Sequence, residues 1–127
     1  MKIMLITDDN SLIGMAEDLG VWKDNELIVY NESSDPIDVL TFIYVETPSV
    51  LIFDDDYLSP NSSAVIDSIG KVNKETKIIF ATSDSSIELG KKISPLGIYY
   101  YAIKPIEESE IKELLDSLLN TKSKQIN

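Results

Sequence analysis

The chain has 127 residues, 43% of them hydrophobic, and a formal net charge of −11, so it fits one folded domain and is too apolar for a disordered segment. It contains no cysteine and no histidine, which excludes disulfides, thiolate or histidine metal sites, and catalysis built on either side chain. All basic residues are lysines, and they form no basic stripe of the kind that binds nucleic acid. Any chemistry must use carboxylates, hydroxyls and lysine.

The sequence also bears on the membrane and on the compartment. No apolar run approaches the roughly 20 residues of a membrane span. The opening residues, MKIMLITDD, reach aspartates too soon for a signal peptide. We therefore expect a cytoplasmic location and no contact with a membrane.

Short apolar runs alternate with amphipathic segments along the chain. In chain order, the patterns predict a strand at 2–7, a helix at 11–20, a strand at 26–30, a helix between Asp35 and Pro48, and a strand at 49–53. The second half continues with a helix near 61–73, a strand at 77–82, a helix near 85–94, a strand within 97–104 and a helix from about Glu107.

The alternation of strands and helices defines the fold class. Strands too apolar to face water, each followed by a helix, predict a doubly wound α/β domain whose five-stranded parallel sheet has helices on both faces. Residues 1–120 are predicted to form this single domain. Residues 121–127 are predicted to be a flexible C-terminal tail.

Polar side chains follow four of the five predicted strands. They are Asp8 and Asp9 after the first strand, Asp54 after the third, Thr82 and Ser83 after the fourth, and Lys104 after the fifth. In parallel sheets, ligands bind outside the carboxyl ends of the strands. Clustered carboxylates cannot all stay ionised without a cation, and oxygen ligands suit Mg²⁺. Carboxylate, divalent ion, lysine and hydroxyl are together the groups needed to form an aspartyl phosphate.

These motifs resemble those of the receiver domains of two-component response regulators, whose simplest member is the chemotaxis response regulator. The matching stretches, which span essentially the whole chain, are MLITDDN, VLIFD, IIFATS and GIYYYAIKP. The resemblance implies a flavodoxin-like strand order 2-1-3-4-5. It also implies phosphorelay signal transduction, in which a histidine kinase or phosphotransfer protein phosphorylates an aspartate of the domain.

The resemblance assigns the phosphoacceptor and the metal ligands. Asp54 is implied to be the phosphorylated residue, and Asp8, Asp9, Asp54 and the backbone carbonyl of Asp56 are implied to bind Mg²⁺. A carboxylate at Asp56 is unusual for the family, and we expect it near the site mouth, where it would slow anionic phosphodonors or alter dephosphorylation. Pro60 lies six residues after Asp54, where the family usually has a proline after four.

The resemblance also assigns the switch and the partner surface. Lys104 and Thr82 are implied to bind the phosphoryl group, while Thr82 and Tyr101 are implied to switch. The expected surface for a partner or a homodimer combines the fourth predicted helix, the fifth strand and the fifth predicted helix. On this reading the domain is not an enzyme and does not itself bind nucleic acid.

Two other functions stay open from the sequence. A receiver-like module that binds partners without phosphorylation needs the same fold. The stretch VLIFDDDYLS also resembles the first motif of haloacid-dehalogenase-type phosphatases, with Asp54 as nucleophile and Asp56 as general acid. Against this reading, that motif normally opens the chain and a cap region commonly accompanies it, whereas here the motif lies in the middle.

Overall fold

A five-stranded parallel sheet organises the chain. The computed structural model describes residues 1–126, with side chains up to residue 119. The strands are β1 (Lys2–Ile6), β2 (Glu26–Tyr30), β3 (Val50–Asp54), β4 (Lys77–Thr82) and β5 (Tyr100–Ile103). They pair in the order β2-β1-β3-β4-β5, and all pairings are parallel. The predicted fold class and strand order are confirmed.

Helices connect the strands. They are α1 (Asn10–Glu17), α2 (Pro36–Glu46), α3 (Asp55–Leu58), α4 (Ser62–Val72), α5 (Ile87–Ile93) and α6 (Glu108–Ile126), with a 3₁₀ turn at Ser94–Leu96. The sequence did not predict α3 or the 3₁₀ turn, because neither is long enough to show a helical period. Helix α6 continues to Ile126, through most of the stretch 121–127 that was predicted to be a flexible tail. The flexibility of that stretch stays a prediction. No helix among the described residues is long and apolar enough to cross a membrane.

The sheet buries a separate apolar core on each face. Successive residues of a strand point to opposite faces, so Met4 and Phe53 join α2, α4 and α5 on one side, while Leu5 and Ile52 join α1 and α6 on the other. The central strand β3 is buried along its whole length. Its carboxyl end therefore delivers Asp54 to a fixed place at the sheet edge.

Both ends of α2 lie where the capping and proline signals in the sequence predicted them. The Asp35 side chain accepts a hydrogen bond from the Ile37 amide at 2.9 Å, and Pro36 occupies the first helical position. At the other end, Thr47 adopts the left-handed region with φ 45°, and Pro48 follows. A cap with proline at one end and a break before proline at the other define the helix.

Strand β5 sends two neighbouring tyrosines to opposite faces of the sheet. The Tyr100 hydroxyl donates to the Glu110 carboxylate of α6 at 2.5 Å. The Tyr101 ring packs against Phe80, with ring centroids 5.1 Å apart. The Tyr101 hydroxyl is buried and has no hydrogen-bond partner among the residues whose side chains are described. The two hydroxyls therefore contribute differently to stability.

We expect Tyr101→Phe to leave the free energy of unfolding unchanged or to raise it by up to about 1 kcal/mol, because it removes a buried polar group without a partner. Tyr100→Phe is the matched control. It should lower the free energy of unfolding, because it breaks the hydrogen bond to the Glu110 carboxylate. Urea unfolding followed by circular dichroism measures both. A clear loss of stability in Tyr101→Phe would contradict the assignment.

Candidate functional site

The register of the sheet brings residues from four strand ends to one edge. Ile6 pairs with Phe53, so Thr7 and Asp54 are the next residues in register. At the far side of the site, the Lys104 amide donates to the Thr82 carbonyl at 2.8 Å, which fixes the start of the loop after β5 beside β4. Asp54, Thr82 and Lys104, all predicted from the sequence, thus lie at the same edge.

Lys104 lies at the centre of the site. Its Nζ is 2.9 Å from Asp54 Oδ1, 3.1 Å from Asp56 Oδ2 and 3.5 Å from Asp9 Oδ2. Asp54 is 1% exposed, and the Lys104 side chain is 16% exposed. A buried carboxylate is costly unless it is paired, so the contact with the ammonium group compensates for the burial of Asp54.

The contacts of Lys104 and Asp56 change the acidity of both groups. Burial acts to lower the pKa of Lys104, but hydrogen bonds and charges from Asp54 and Asp56 outweigh it and hold that pKa above its ordinary value. Burial acts to raise the pKa of Asp56, but hydrogen bonds from Ser83 and Lys104 outweigh it and hold that pKa below its ordinary value. Both groups are therefore charged at neutral pH.

Both oxygens of the Asp54 carboxylate have hydrogen-bond donors. Thr7 Oγ1 donates to Asp54 Oδ2 at 2.5 Å, and the Asp56 amide donates to Asp54 Oδ1 at 3.0 Å, which caps the first turn of α3. The sequence did not single out Thr7. Thr7 directly follows the apolar run of β1, which places its hydroxyl at the edge of the sheet. Its contact with Asp54 could be predicted only with the register between β1 and β3.

Both carboxylate oxygens of Asp9 have partners, whereas Asp8 is exposed. Asp9 Oδ1 accepts hydrogen bonds from the amides of Ser11 at 2.9 Å and Leu12 at 3.3 Å, so it caps α1, while Oδ2 faces Lys104. Asp9 therefore caps α1 with one oxygen and contributes to the charged site with the other. In the described part of the chain, no group of three acidic side chains is arranged to hold a metal ion.

A second buried network surrounds Asp55, a residue to which the sequence assigned no role. Asp55 is 6% exposed, and it accepts hydrogen bonds from Ser62 Oγ at 2.6 Å and Thr82 Oγ1 at 2.8 Å. Thr82 Oγ1 in turn accepts from the Asp84 amide at 3.0 Å. The Thr82 hydroxyl, predicted to bind a phosphoryl group, therefore donates to Asp55 in this structure.

Asp56 lies at the open side of the site. Asp56 Oδ1 accepts hydrogen bonds from the Ser83 amide at 3.2 Å and from Ser83 Oγ at 2.8 Å, and Oδ2 faces Lys104. Its side chain is 35% exposed. A neighbouring cavity of about 420 Å³ is lined by Asp9, Ser11, Leu12, Met15, Ser83, Lys104, Pro105 and Ile106. The site therefore opens to solvent beside Lys104.

Tyr101 lies on the sheet face covered by α5. It packs against the core cluster that contains Ile93 and, at its border, Leu89. Burial, and then the charges of Asp55 and Asp84, raises the pKa of the Tyr101 hydroxyl. The contacts of the ring with Phe80 and with this cluster show that it packs inward, on the side of α5.

Comparison with solved structures identifies the fold. The chain resembles a CheY-like response regulator receiver domain protein from Methanospirillum hungatei, with a TM-score of 0.78, 18% identity, and coverage of 98% of this chain and 97% of that one. The signal receiver domain of a putative LuxO repressor protein from Vibrio parahaemolyticus gives a TM-score of 0.78 and 21% identity, covering 98% and 95%. A response regulator from Thermotoga maritima gives 0.76 and 14%, covering 94% and 97%.

These neighbours share one architecture over nearly the whole chain. The fold of this protein is the fold of response regulator receiver domains, as the sequence motifs predicted. No protein-family model matches the sequence.

Lys104→Met should lower the free energy of unfolding at pH 7 by about 3 kcal/mol, because it leaves Asp54 buried without its cation. The part of the deficit that comes from the Lys104–Asp56 pair should shrink as the pH falls through the lowered pKa of Asp56, because protonation removes the charge that Lys104 pairs with. In the parent protein, the stability from the raised pKa of Lys104 is full below about 10.4 and is lost as the pH rises through the folded-state pKa.

Denaturant unfolding across this pH range tests the expectation. Lys2→Met is the matched control, because Lys2 pairs with Glu46 at 3.1 Å in a partly exposed position and should contribute less than about 1 kcal/mol. Equal losses in the two variants at pH 7 would show that the site does not depend on Lys104.

Thr82→Val should lower the free energy of unfolding by about 1–3 kcal/mol, because it keeps the shape of the side chain and leaves a buried oxygen of Asp55 without a donor. Thr82→Ser retains the hydroxyl and is the control. Thermal and urea unfolding of both variants measure the difference. A Thr82→Val protein as stable as Thr82→Ser would contradict the Asp55 network.

Proposed function

We propose that this domain is the phosphoacceptor receiver of a two-component response regulator and that Asp54 is the phosphorylated residue. The observation that carries the proposal is the Asp54 carboxylate held 2.9 Å from the Lys104 ammonium at the carboxyl edge of the sheet. A lysine at that distance can stabilise the charge of an incoming phosphoryl oxygen. The hydroxyl of Thr82, on the neighbouring strand, is a second candidate donor.

The proposed reaction moves a phosphoryl group from a histidine kinase or phosphotransfer protein to Asp54. An Asp54 oxygen forms a bond to phosphorus as the bond from phosphorus to the donor histidine nitrogen breaks, and that nitrogen keeps the electron pair. The Lys104 ammonium would donate a hydrogen bond to an oxygen of the transferred phosphoryl group. Thr82 leaves Asp55 to donate to the phosphoryl group, and Tyr101 responds to that movement.

Mg²⁺ is the proposed cofactor. Carboxylate and carbonyl oxygens near the open side of the site have the chemistry that a hard divalent ion prefers. Asp9, Asp54 and the backbone carbonyl of Asp56 would hold it, with Asp8 as an outer carboxylate. When bound, the ion supplies positive charge that offsets the repulsion between the acceptor site and an anionic donor.

The proposed output is a change of surface. The face formed by α5, β5 and α6 would bind a partner or a second copy of the domain in the cytoplasm. The domain would transmit a signal, and it would not act as an enzyme on a separate substrate.

The phosphatase reading has less physical support. A general acid must hold a proton at working pH, which requires a raised pKa. The pKa of Asp56 is instead held low, because Ser83 and Lys104 outweigh the effect of burial. Asp56 therefore suits the role of an anion better than that of a proton donor.

One observation favours signalling without phosphorylation as the second candidate. Asp54 is 1% exposed, and its oxygens already have donors from Thr7, Asp56 and Lys104. A site so fully satisfied could serve as a structural centre. The two candidates differ in whether Asp54 reacts with a small phosphodonor.

We expect acetyl phosphate with Mg²⁺ to label Asp54, and we expect Asp54→Asn to lose the label. Mass spectrometry after borohydride trapping locates the modified residue. Omitting Mg²⁺ should reduce labelling strongly, because the anionic donor then meets an acidic site. Asp84→Asn is the control and should keep the label, because its amide oxygen can still accept from Ser86. Label on Asp56 would overturn the assignment of Asp54, and no label under any condition would favour the second candidate.

A further inference from the structure

Asp56 fills a set of donors that faces the open side of the site. Its carboxylate accepts from Lys104 Nζ at 3.1 Å, from the Ser83 amide at 3.2 Å and from Ser83 Oγ at 2.8 Å. An ammonium, an amide and a hydroxyl directed at one carboxylate are a binding arrangement for an anion. The anion that occupies it belongs to the chain itself.

The same donors lie next to the proposed acceptor. Lys104 Nζ contacts Asp54 Oδ1 as well as Asp56 Oδ2, so a phosphoryl group on Asp54 Oδ1 would place its oxygens within reach of that ammonium. Asp54 and Asp56 already share this ammonium, and a phosphoryl group would add roughly one to two negative charges at the same place, which strengthens the repulsion on the Asp56 carboxylate. The Asp56 carboxylate and the phosphoryl oxygens therefore compete.

We propose that Asp56 is an internal competitor anion, which must leave Lys104 and Ser83 before Asp54 can hold a phosphoryl group. This inference rests on the proposed function, because it assumes that the incoming ligand binds Asp54. It assigns an affinity-determining role to a side chain that lies at the site mouth and is 35% exposed, so the carboxylate has solvent beside it. Asp54, by contrast, stays fixed at the end of β3.

Two features indicate that Asp56, and not Asp9, is the carboxylate to be displaced. Asp9 caps α1 through Oδ1, and the contact of its Oδ2 with Lys104 is the longest of the three, at 3.5 Å. Both oxygens of Asp56, in contrast, occupy donors that an incoming anion would use. Removing its carboxylate therefore frees the whole donor set without removing a helix cap.

The test is a titration of the full chain with beryllofluoride at fixed Mg²⁺, followed by amide NMR signals. Asp56→Ala should lower the half-saturating concentration by about tenfold or more, the factor that corresponds to one hydrogen-bonded charge pair. Asp56→Asn keeps an acceptor for Ser83 but lacks the charge, so it should give an intermediate gain. Damage to the fold would weaken binding, so a gain separates competition from a structural role.

Asp84→Asn is the charge-matched control, because it removes one negative charge from the neighbouring loop and should change the half-saturating concentration by less than about twofold. Equal affinities of the parent and Asp56→Ala would overturn the internal competitor and leave the proposed function standing. Absence of binding in the parent and in Asp56→Ala would overturn both. Binding that survives in Asp54→Asn combined with Asp56→Ala would also overturn both, because the ligand would then lie elsewhere.

Discussion

The need to neutralise a buried carboxylate governs this site. Asp54 ends a strand that is buried along its whole length, and it reaches the sheet edge almost without contact with water. Such a charge needs a cation and hydrogen-bond donors in fixed positions. Lys104 supplies the cation and Thr7 a hydroxyl, and both positions follow from the register of β1, β3, β4 and β5. The geometry of the site is therefore a property of the sheet.

The three consecutive aspartates at the end of β3 occupy three different environments. Asp54 ends the strand, and α3 begins at Asp55, so successive side chains point about 100° apart around the helix. Asp55 turns inward to the hydroxyls of Ser62 and Thr82, while Asp56 turns outward to Ser83 and Lys104. One short turn of helix thus places Asp54 and Asp56 in the charged site and Asp55 in a separate buried network, whose donors are neutral hydroxyls.

The period of hydrophobic residues was enough to predict a parallel sheet and the polar groups at its edge, whereas the strand order was predicted from the resemblance to receiver domains. The boundaries of β2 and β4 were predicted to the residue, because apolar runs bounded by polar residues define buried strands. The partners of these groups were not predicted. Thr7 beside Asp54 depends on the register between strands, and Asp55 depends on a four-residue helix too short to have a period. Contacts between residues distant in sequence carry no local signal.

Lys104 and Asp9, which meet in the site, are separated by 95 residues in the chain. During synthesis, the carboxylates of the first and third strands therefore emerge long before the lysine that neutralises them. Until β5 docks, the edge of the partial sheet carries uncompensated negative charge, and long-range pairing of this kind forms slowly. The acidic edge therefore gains its cation only after the fifth strand has been made, so the order of the strands along the chain sets the earliest point at which the site can form.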